Sequence, residues 1–183
     1  MAGVRIGDLV LGDDAAIEQA ARLLVEGLPQ GWPDLPSALE EVRESCSPDH
    51  ISRLAILDDG SIAGWIGGRS DYGGNVWEIH PLVVRRDCRR RGIGRALVAD
   101  LEAHAAAHGA HTLLLGADDE AGLTSIGGRD LYPDVLKQLS SIRNLAGHPF
   151  GFYQRLGFAL VGVIPDANGL GKPDILMAKR VQR

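Results

Sequence analysis

A glutamate and a histidine two residues apart, Glu78 and His80, are the residues of this chain whose types and spacing most directly suggest chemistry. They lie in a run that predicts a β-strand from Trp77 to Val84, where side chains two apart share a face unless a bulge intervenes. A carboxylate beside an imidazole can accept a proton or hold a cationic group. The pair therefore predicts a catalytic or substrate-binding site, with a salt-bridged glutamate and a structural histidine as the alternatives.

An arginine-rich loop follows this strand and ends in Gly92 and Gly94, which open an apolar-periodic helix. Glycine lets the backbone approach an anion closely, and the first N–H groups of a helix face it together with the positive end of the helix dipole. Arginine side chains add charge-assisted hydrogen bonds to phosphate oxygens, although some of them are expected to be solvated. The pattern predicts a phosphate-binding loop made of Arg89, Arg90, Arg91, Gly92, Ile93, Gly94 and Arg95.

Composition narrows the class of ligand. The chain has 183 residues, 45% of them hydrophobic and 23% charged, with a net charge of -5, which is typical of a globular protein and argues against a dedicated nucleic-acid binder. An acidic chain with one basic loop suggests a small phosphorylated ligand and a cationic second substrate. Cys46 and Cys88 fit neither a disulfide framework nor a metal site, and His104 and His108 have no third ligand at a recognisable spacing, so we expect no metal.

We expect one domain over residues 1–183, because the chain shows no internal repeat and no linker. It also shows no signal-peptide pattern and no apolar run near ~20 residues, which predicts a cytoplasmic protein without a membrane partner.

The first half of the chain predicts a strand, two helices and an antiparallel meander. The first helix is expected to follow Asp13 or Asp14 as its N-cap and to end at Gly27. The second is expected to open with the Ser37-x-x-Glu40 capping box and to run to about Cys46, with its glutamates on a solvated face. The predicted strands are Val4 to Leu11, Arg53 to Leu57 and Ser61 to Gly67, and the three solvated glutamates are Glu40, Glu41 and Glu44.

The second half predicts a helix from Gly94 to Gly109 and a strand from His111 to Leu115. Because a crossover helix joins them, this strand should lie parallel to the Trp77 to Val84 strand. Asp118 and Asp119 then fall just past its carboxyl end, where ligands of open α/β sheets collect, although they can also be plain turn residues. The remaining predictions are a helix near Pro133 with Val135, Leu136, Leu139 and Ile142 inward, a short helix after His148-Pro149, and a closing strand pair, Phe158 to Ile164 and Ile175 to Lys179.

Two motifs resemble a known family. Arg89-x-x-Gly92-x-Gly94 after a strand, followed by Phe152-Tyr153-x-x-x-Gly157-Phe158, resembles the two signature motifs of the GNAT superfamily of acetyl-CoA-dependent N-acetyltransferases. Further segments are similar to the aminoglycoside 6′-N-acetyltransferases, densely from about Trp77 to Val181 and only loosely over the first 75 or so residues. They include Leu115-Gly116-x-Asp118-Asp119, Asn144-Leu145 to His148-Pro149, and Lys172-Pro173-Asp174-Ile175.

This resemblance implies a mixed α/β GNAT fold, with a splayed sheet of about seven strands flanked by helices and acetyl-CoA between the two parallel strands. The pantetheine arm would pair with backbone at Leu82, Val83 and Val84, and the pyrophosphate would sit on the phosphate-binding loop. Tyr153, beside the coenzyme thiol, would protonate the leaving thiolate, although a tyrosine on an aromatic helix face is by default a core residue.

The acceptor amine arrives protonated, with a pKa near ~10, and must lose a proton before it attacks a thioester. Glu78 or Asp118 would accept that proton, His80 would orient the substrate or a water, and the Leu82 N–H would act as an oxyanion donor. The substrate would contact Trp32, Glu78, His80, Asp118 and Asp119. For Trp32 the alternative is a residue that covers the edge of the core.

The sequence thus predicts an enzyme that acetylates the 6′-amine of aminoglycoside antibiotics by direct transfer, with a role in resistance, as a homodimer formed through its C-terminal strands. A GNAT enzyme acting on a protein lysine, an N-terminus or a polyamine is the first alternative. A non-catalytic acyl-CoA-binding module is the second.

Overall fold

The computed structural model describes residues 3–181, and contacts divide them into two compact units. One unit runs to His111 and includes Val181, and the other is Thr112–Arg180. The described residues form seven strands and five α-helices, which confirms the predicted mixed α/β fold. A single domain over residues 1–183 stays a prediction.

The first unit is an antiparallel sheet of four strands in sequence order, with three helices. Each strand pairs with the next, and β4 pairs with β3 at the far edge of this ladder. The elements are β1 (Val4–Asp8), α1 (Asp14–Gly27), α2 (Leu35–Glu44), β2 (His50–Leu57), β3 (Ile62–Asp71), β4 (Val76–Val84) and α3 (Ile93–Ala107).

The core of this unit is formed by the apolar faces of α1 and α2 and the inner side chains of the sheet. Leu24, Leu54 and Trp65 are fully buried in it. The Trp65 indole satisfies its N–H by donating to the Ser52 hydroxyl at 2.9 Å. Burial of these large side chains is the main source of stability, at about 1.5–3 kcal/mol for each.

The helix starts test the capping predictions. Asp13 caps α1, as predicted, by accepting from the Ala16 N–H at 3.0 Å. The capping box predicted at Ser37 is wrong, because α2 begins earlier, at Leu35, with Asp34 as its N-cap. Asp34 accepts from the Ser37 N–H at 2.9 Å, and Pro36 occupies the first turn, where its missing N–H costs nothing.

The second unit has three antiparallel strands and two short helices. β7 lies between β5 and β6 and pairs with both. The elements are β5 (Thr112–Asp118), α4 (Val135–Ser140), α5 (Phe150–Gln154), β6 (Ala159–Ile164) and β7 (Asp174–Arg180), so the predicted closing pair of strands is confirmed.

Two predictions for this unit need correction. β5 continues through Gly116, which pairs with Leu176, so Asp118 is the last residue of the strand and does not lie past its end. The helix predicted near Pro133 is confirmed, since a 3₁₀ turn, Tyr132–Asp134, leads directly into α4. On α4 the predicted inward position of Leu136 is wrong, because its side chain is 76% exposed, whereas Leu139 is buried.

None of the helices described is long and apolar enough to cross a membrane.

Candidate active site

The chain on either side of His80 departs from a regular ladder. Ile66 of β3 pairs with Leu82 and Gly68 pairs with Ile79, so β4 carries one more residue than β3 between these pairs. This β-bulge contains the His80–Pro81 peptide bond, which is cis. Gly67 faces it, and a Cβ at this position would collide with the carbonyl oxygen of His80. Glycine is therefore required at position 67 for the close approach of the two strands.

Burial alternates along β4 in spite of the bulge. Trp77, Ile79 and Val83 are buried, whereas Glu78 and His80 are more accessible. The predicted pair therefore does share one side of the strand, because the extra residue lies after Ile79.

His80 has one side-chain neighbour from the loop between α1 and α2 and one from α2. The Trp32 ring lies 5.6 Å from the imidazole, centroid to centroid, in a tilted arrangement. The Glu41 Oε1 atom lies 3.9 Å from His80 Nε2. The structure thus brings together the predicted residues Trp32 and His80 and adds Glu41, which was predicted to be solvated.

Glu78 has a cationic partner of its own. Its Oε2 atom accepts from the Arg69 guanidinium at 2.5 Å, across the pairing of β3 with β4. The pair is open to solvent on the arginine side, so its net contribution to stability is small, about 0–1 kcal/mol. Its effect on the site is to hold one oxygen of the carboxylate, while no residue in the described chain donates to Oε1.

The phosphate-binding loop predicted after β4 has the expected backbone. Gly92 is the N-cap of α3 with φ of +86°, and no side chain caps this helix. The first intrahelical bond is that of the Ala96 N–H to the Gly92 carbonyl. The preceding N–H groups of α3 are therefore available to an anion, on which the dipole of a 15-residue helix also acts.

Arg85, which precedes this loop, differs in its contacts from the arginines of the loop itself. The Arg85 guanidinium donates hydrogen bonds within the protein, to the Asp87 carboxylate at 2.7 Å and to the Ser61 hydroxyl at 3.3 Å. Arg89 donates through Nε to the Val84 carbonyl at 3.0 Å and borders a cleft of about 500 Å³. Side chains exposed to solvent, which can turn toward a phosphate, are those of Arg89, Arg90, Arg91 and Arg95, whereas Ile93 is buried and offers only its backbone.

Asp118 and Asp119 have different surroundings within the second unit. Asp118 is exposed and accepts from the Asn168 side-chain amide at 2.5 Å. Asp119 is 1% exposed, and its carboxylate accepts from the Leu123 N–H at 2.6 Å and the Thr124 hydroxyl at 2.6 Å. Asp119 therefore organises the loop that follows it, and the expectation that it contacts substrate is corrected.

Tyr153 lies on α5 and is buried between Phe152 and Phe158, in edge-on contacts with centroid distances of 5.0 and 5.6 Å. Burial raises the pKa of its phenol well above the ordinary value of 10. The O–H is therefore protonated at any physiological pH and can donate a hydrogen bond, but it is a weaker acid than an exposed tyrosine.

Among residues 3–181, no three His, Cys, Asp or Glu side chains are grouped so that they could hold a metal ion. His104 of α3 and His108, which caps its C-terminus, instead lie against backbone carbonyls of this helix. The Nδ1 atoms of His104 and His108 lie 2.8 Å from the carbonyl oxygens of Asp100 and His104.

Glu41 is the site residue that sequence reasoning missed. Ala38, Val42 and Ser45 form the buried stripe of α2 and its cap, and Glu41 lies beside that stripe at the i+3 position from Ala38. Helical spacing places Glu41 next to the buried face, and its side chain is less accessible than those of Glu40 and Glu44, which are exposed. A run of glutamates predicts a solvated face, which holds for Glu40 and Glu44 but not for Glu41.

Comparison with known proteins agrees with this geometry. The model of the acetyltransferase (GNAT) family matches residues 17–127. A crystal structure of an aminoglycoside 6′-N-acetyltransferase complexed with coenzyme A is 38% identical with a TM-score of 0.92, and the aminoglycoside 6′-N-acetyltransferase from Enterococcus faecium is 38% identical with a TM-score of 0.89. The aminoglycoside 6′-acetyltransferase type Ii is 34% identical with a TM-score of 0.75, and in all three cases 98% of each chain is covered. No curated protein matches this chain.

Proposed function

Since this chain belongs to the GNAT family of acetyltransferases, we propose that it transfers the acetyl group of acetyl-CoA to the 6′-amine of aminoglycoside antibiotics. The observation that carries the proposal is the cluster around His80, where the Trp32 ring of the α1–α2 loop and the Glu41 carboxylate of α2 lie next to the histidine of β4. Such a surface suits an amino sugar, because the ring packs on the sugar and the carboxylates attract its ammonium groups. The three aminoglycoside acetyltransferases at 34–38% identity support the same substrate class.

Acetyl-CoA supplies an acetyl group activated as a thioester. The uncapped N–H groups at the start of α3 and the arginines of the preceding loop fit its pyrophosphate, because both are donors aimed at an anion. Within this proposal, Leu82, Val83 and Val84 offer backbone groups to the pantetheine arm.

In the acceptor half of the reaction, a carboxylate removes a proton from the ammonium group. We assign this step to Glu78, whose Arg69 partner occupies Oε2 and leaves Oε1 for the proton. Asp118 is the rival base, because its side chain is exposed at the end of β5. His80 orients the amine or a bridging water, and the Trp32 ring lies 5.6 Å from its imidazole, centroid to centroid.

In the donor half, the Leu82 N–H donates to the oxyanion that forms on the thioester carbonyl. Tyr153 donates its O–H to the departing thiolate. Because burial raises the pKa of the phenol, this donation is a hydrogen bond that strengthens as negative charge develops on sulfur.

The test is release of free CoA thiol from acetyl-CoA, measured with an aminoglycoside bearing a 6′-amine and with a close analogue bearing a 6′-hydroxyl. Turnover with the amine alone is the expected result and establishes the regiochemistry. Binding of acetyl-CoA without turnover of either compound would contradict the aminoglycoside assignment and favour a protein lysine, an N-terminus or a polyamine as the acceptor. Failure to bind acetyl-CoA would contradict the enzymatic proposal as a whole.

The proposal extends to assembly and to biological role. β6 is the edge strand of the second unit's ladder, and Val161 and Ile164 on it are 56% and 49% exposed, which supports a homodimer through the C-terminal strands. Light scattering of the wild type and of Val161→Arg tests this assembly. A resistance role in the cytoplasm predicts that expression in susceptible bacteria raises the inhibitory concentration of aminoglycosides that have a 6′-amine, and of no others.

A further inference from the structure

We propose that Glu41 binds an ammonium group of the acceptor and so helps to determine which amines the enzyme accepts. This inference rests on the proposed function and deepens it, because it assigns a substrate-binding residue on α2.

The position of Glu41 on α2 separates it from the other glutamates of the helix. Glu40 and Glu44 are exposed, whereas the Glu41 side chain is only 25% exposed and lies beside the buried residues Ala38 and Val42. The packed face of α2 therefore fixes the direction in which this carboxylate points, since neighbours three and four residues apart lie on one side of a helix.

The Glu41 carboxylate lies next to the His80 imidazole. The Glu41 Oε1 atom is 3.9 Å from His80 Nε2, a separation too long for a hydrogen bond. The imidazole is itself 44% exposed and has the Trp32 ring as a second neighbour, with 5.6 Å between the ring centroids. A carboxylate and an indole thus lie next to an imidazole that is open to solvent.

Glu78 has an arginine partner, whereas Glu41 has no lysine or arginine partner among the described residues. Arg69 compensates the charge on Glu78 at 2.5 Å, but no lysine or arginine in the described part of the chain lies within ion-pair distance of Glu41. A carboxylate that is mostly withdrawn from water without a cationic partner is costly, and a bound ammonium group would supply that partner. A polycationic amino sugar brings several such groups.

The alternative role for Glu41 is to position His80, and kinetics separate the two. A ligand of the substrate acts on binding, so Glu41→Gln should raise KM for the aminoglycoside about 10-fold to 100-fold, the range for loss of a hydrogen bond to a charged group. It should leave KM for acetyl-CoA within about twofold and change kcat little. A residue acting through His80 would instead lower kcat and leave KM unchanged.

The experiment is steady-state thiol release by the full chain with an aminoglycoside bearing a 6′-amine, comparing wild type with Glu41→Gln, Glu40→Gln and Glu44→Gln. The three variants lose the same charge from the same helix, but only Glu41 faces His80. A rise in KM confined to Glu41→Gln supports the inference. An equal rise in all three, no rise in any, or a loss of kcat alone would overturn it.

The activity of the wild type and a second variant, Glu41→Asp, separate failure of the proposed function from failure of the role of Glu41. Inactive wild type contradicts the proposed function and removes the basis of this role, whereas active wild type with an unchanged Glu41→Gln variant contradicts the role of Glu41 alone. Should Glu41→Gln fail to fold, Glu41→Asp keeps the charge and withdraws it by one methylene. A KM intermediate between wild type and a tenfold rise is then expected, and an unchanged KM would refute the assignment.

Discussion

The imidazole of His148 donates through Nε2 to the main-chain carbonyl oxygen of Asp118 at 3.0 Å. Its other nitrogen, Nδ1, accepts from the Phe150 N–H at 3.2 Å. A carbonyl can only accept and an N–H can only donate, so the ring is neutral with its proton on Nε2. Because His148 is 2% exposed, this one side chain joins the end of β5 to the first turn of α5, the helix that carries Tyr153.

Replacing His148 with alanine should lower the free energy of unfolding by about 1–3 kcal/mol or more. The substitution leaves a cavity and removes the hydrogen-bond acceptor of the buried Phe150 N–H. Urea denaturation measures the loss. His148→Gln, which keeps one donor and one acceptor, should recover part of it. Equal losses for the two variants would show that packing alone, and not the pair of hydrogen bonds, explains the effect.

Replacing Tyr153 with phenylalanine should lower kcat and leave KM for acetyl-CoA nearly unchanged. Donors to a developing charge are worth about 10²-fold to 10³-fold in rate. Tyr132→Phe is the matched control, since that tyrosine is largely exposed on the same unit. Wild-type turnover in Tyr153→Phe would remove the phenol from the reaction.

The raised pKa of Tyr153 also predicts a pH dependence of stability. The unfolded phenol ionises above its ordinary pKa of 10, but the buried one does not, so the folded state binds more protons from there upward. The contribution of Tyr153 to the free energy of unfolding should therefore not change with pH below pH 10. Above pH 10 it should decrease as pH rises, by up to about 1.4 kcal/mol per pH unit. In urea denaturation, the difference between wild type and Tyr153→Phe should show this decline, and parallel curves would contradict it.

Replacing Glu78 with glutamine should lower kcat for the aminoglycoside by about 10²-fold to 10⁴-fold and abolish the acidic limb of the pH–rate profile, as expected for loss of a base. Asp118→Asn, compared in the same assay, tests the rival. If Glu78→Gln keeps the wild-type profile and Asp118→Asn loses it, the base is Asp118. Retention by both variants would favour a water chain.

Replacing Gly92 with alanine should raise KM for acetyl-CoA. Alanine at a φ of +86° is strained by about 1 kcal/mol, and relief of that strain would turn the first N–H groups of α3 away from the pyrophosphate. Gly109→Ala is the control, because Gly109 follows the other end of α3 with a φ of +82° and open space around it. Both variants should lose similar stability, and a similar rise in KM for both would argue against a pyrophosphate site at Gly92.

The local features of this chain followed from sequence because each depends on a few neighbouring residues. The Asp13 cap of α1, the strand through Glu78 and His80 and the glycine start of α3 were all predictable from residue type and spacing. Propensity could not locate the start of α2, since two capping residues competed and the earlier one, Asp34, began the helix.

The partners of the site residues were decided by tertiary structure alone. Spacing placed Glu78 beside His80, but the Arg69 that holds its carboxylate comes from the neighbouring strand, through strand register. Spacing did not identify Glu41 as a neighbour of His80, because the two residues are far apart in sequence and meet only where α2 packs on the core of its unit. Residue types and periodicity determined the chemistry that the chain offers, and long-range packing decided which charges are paired and which are left for a substrate.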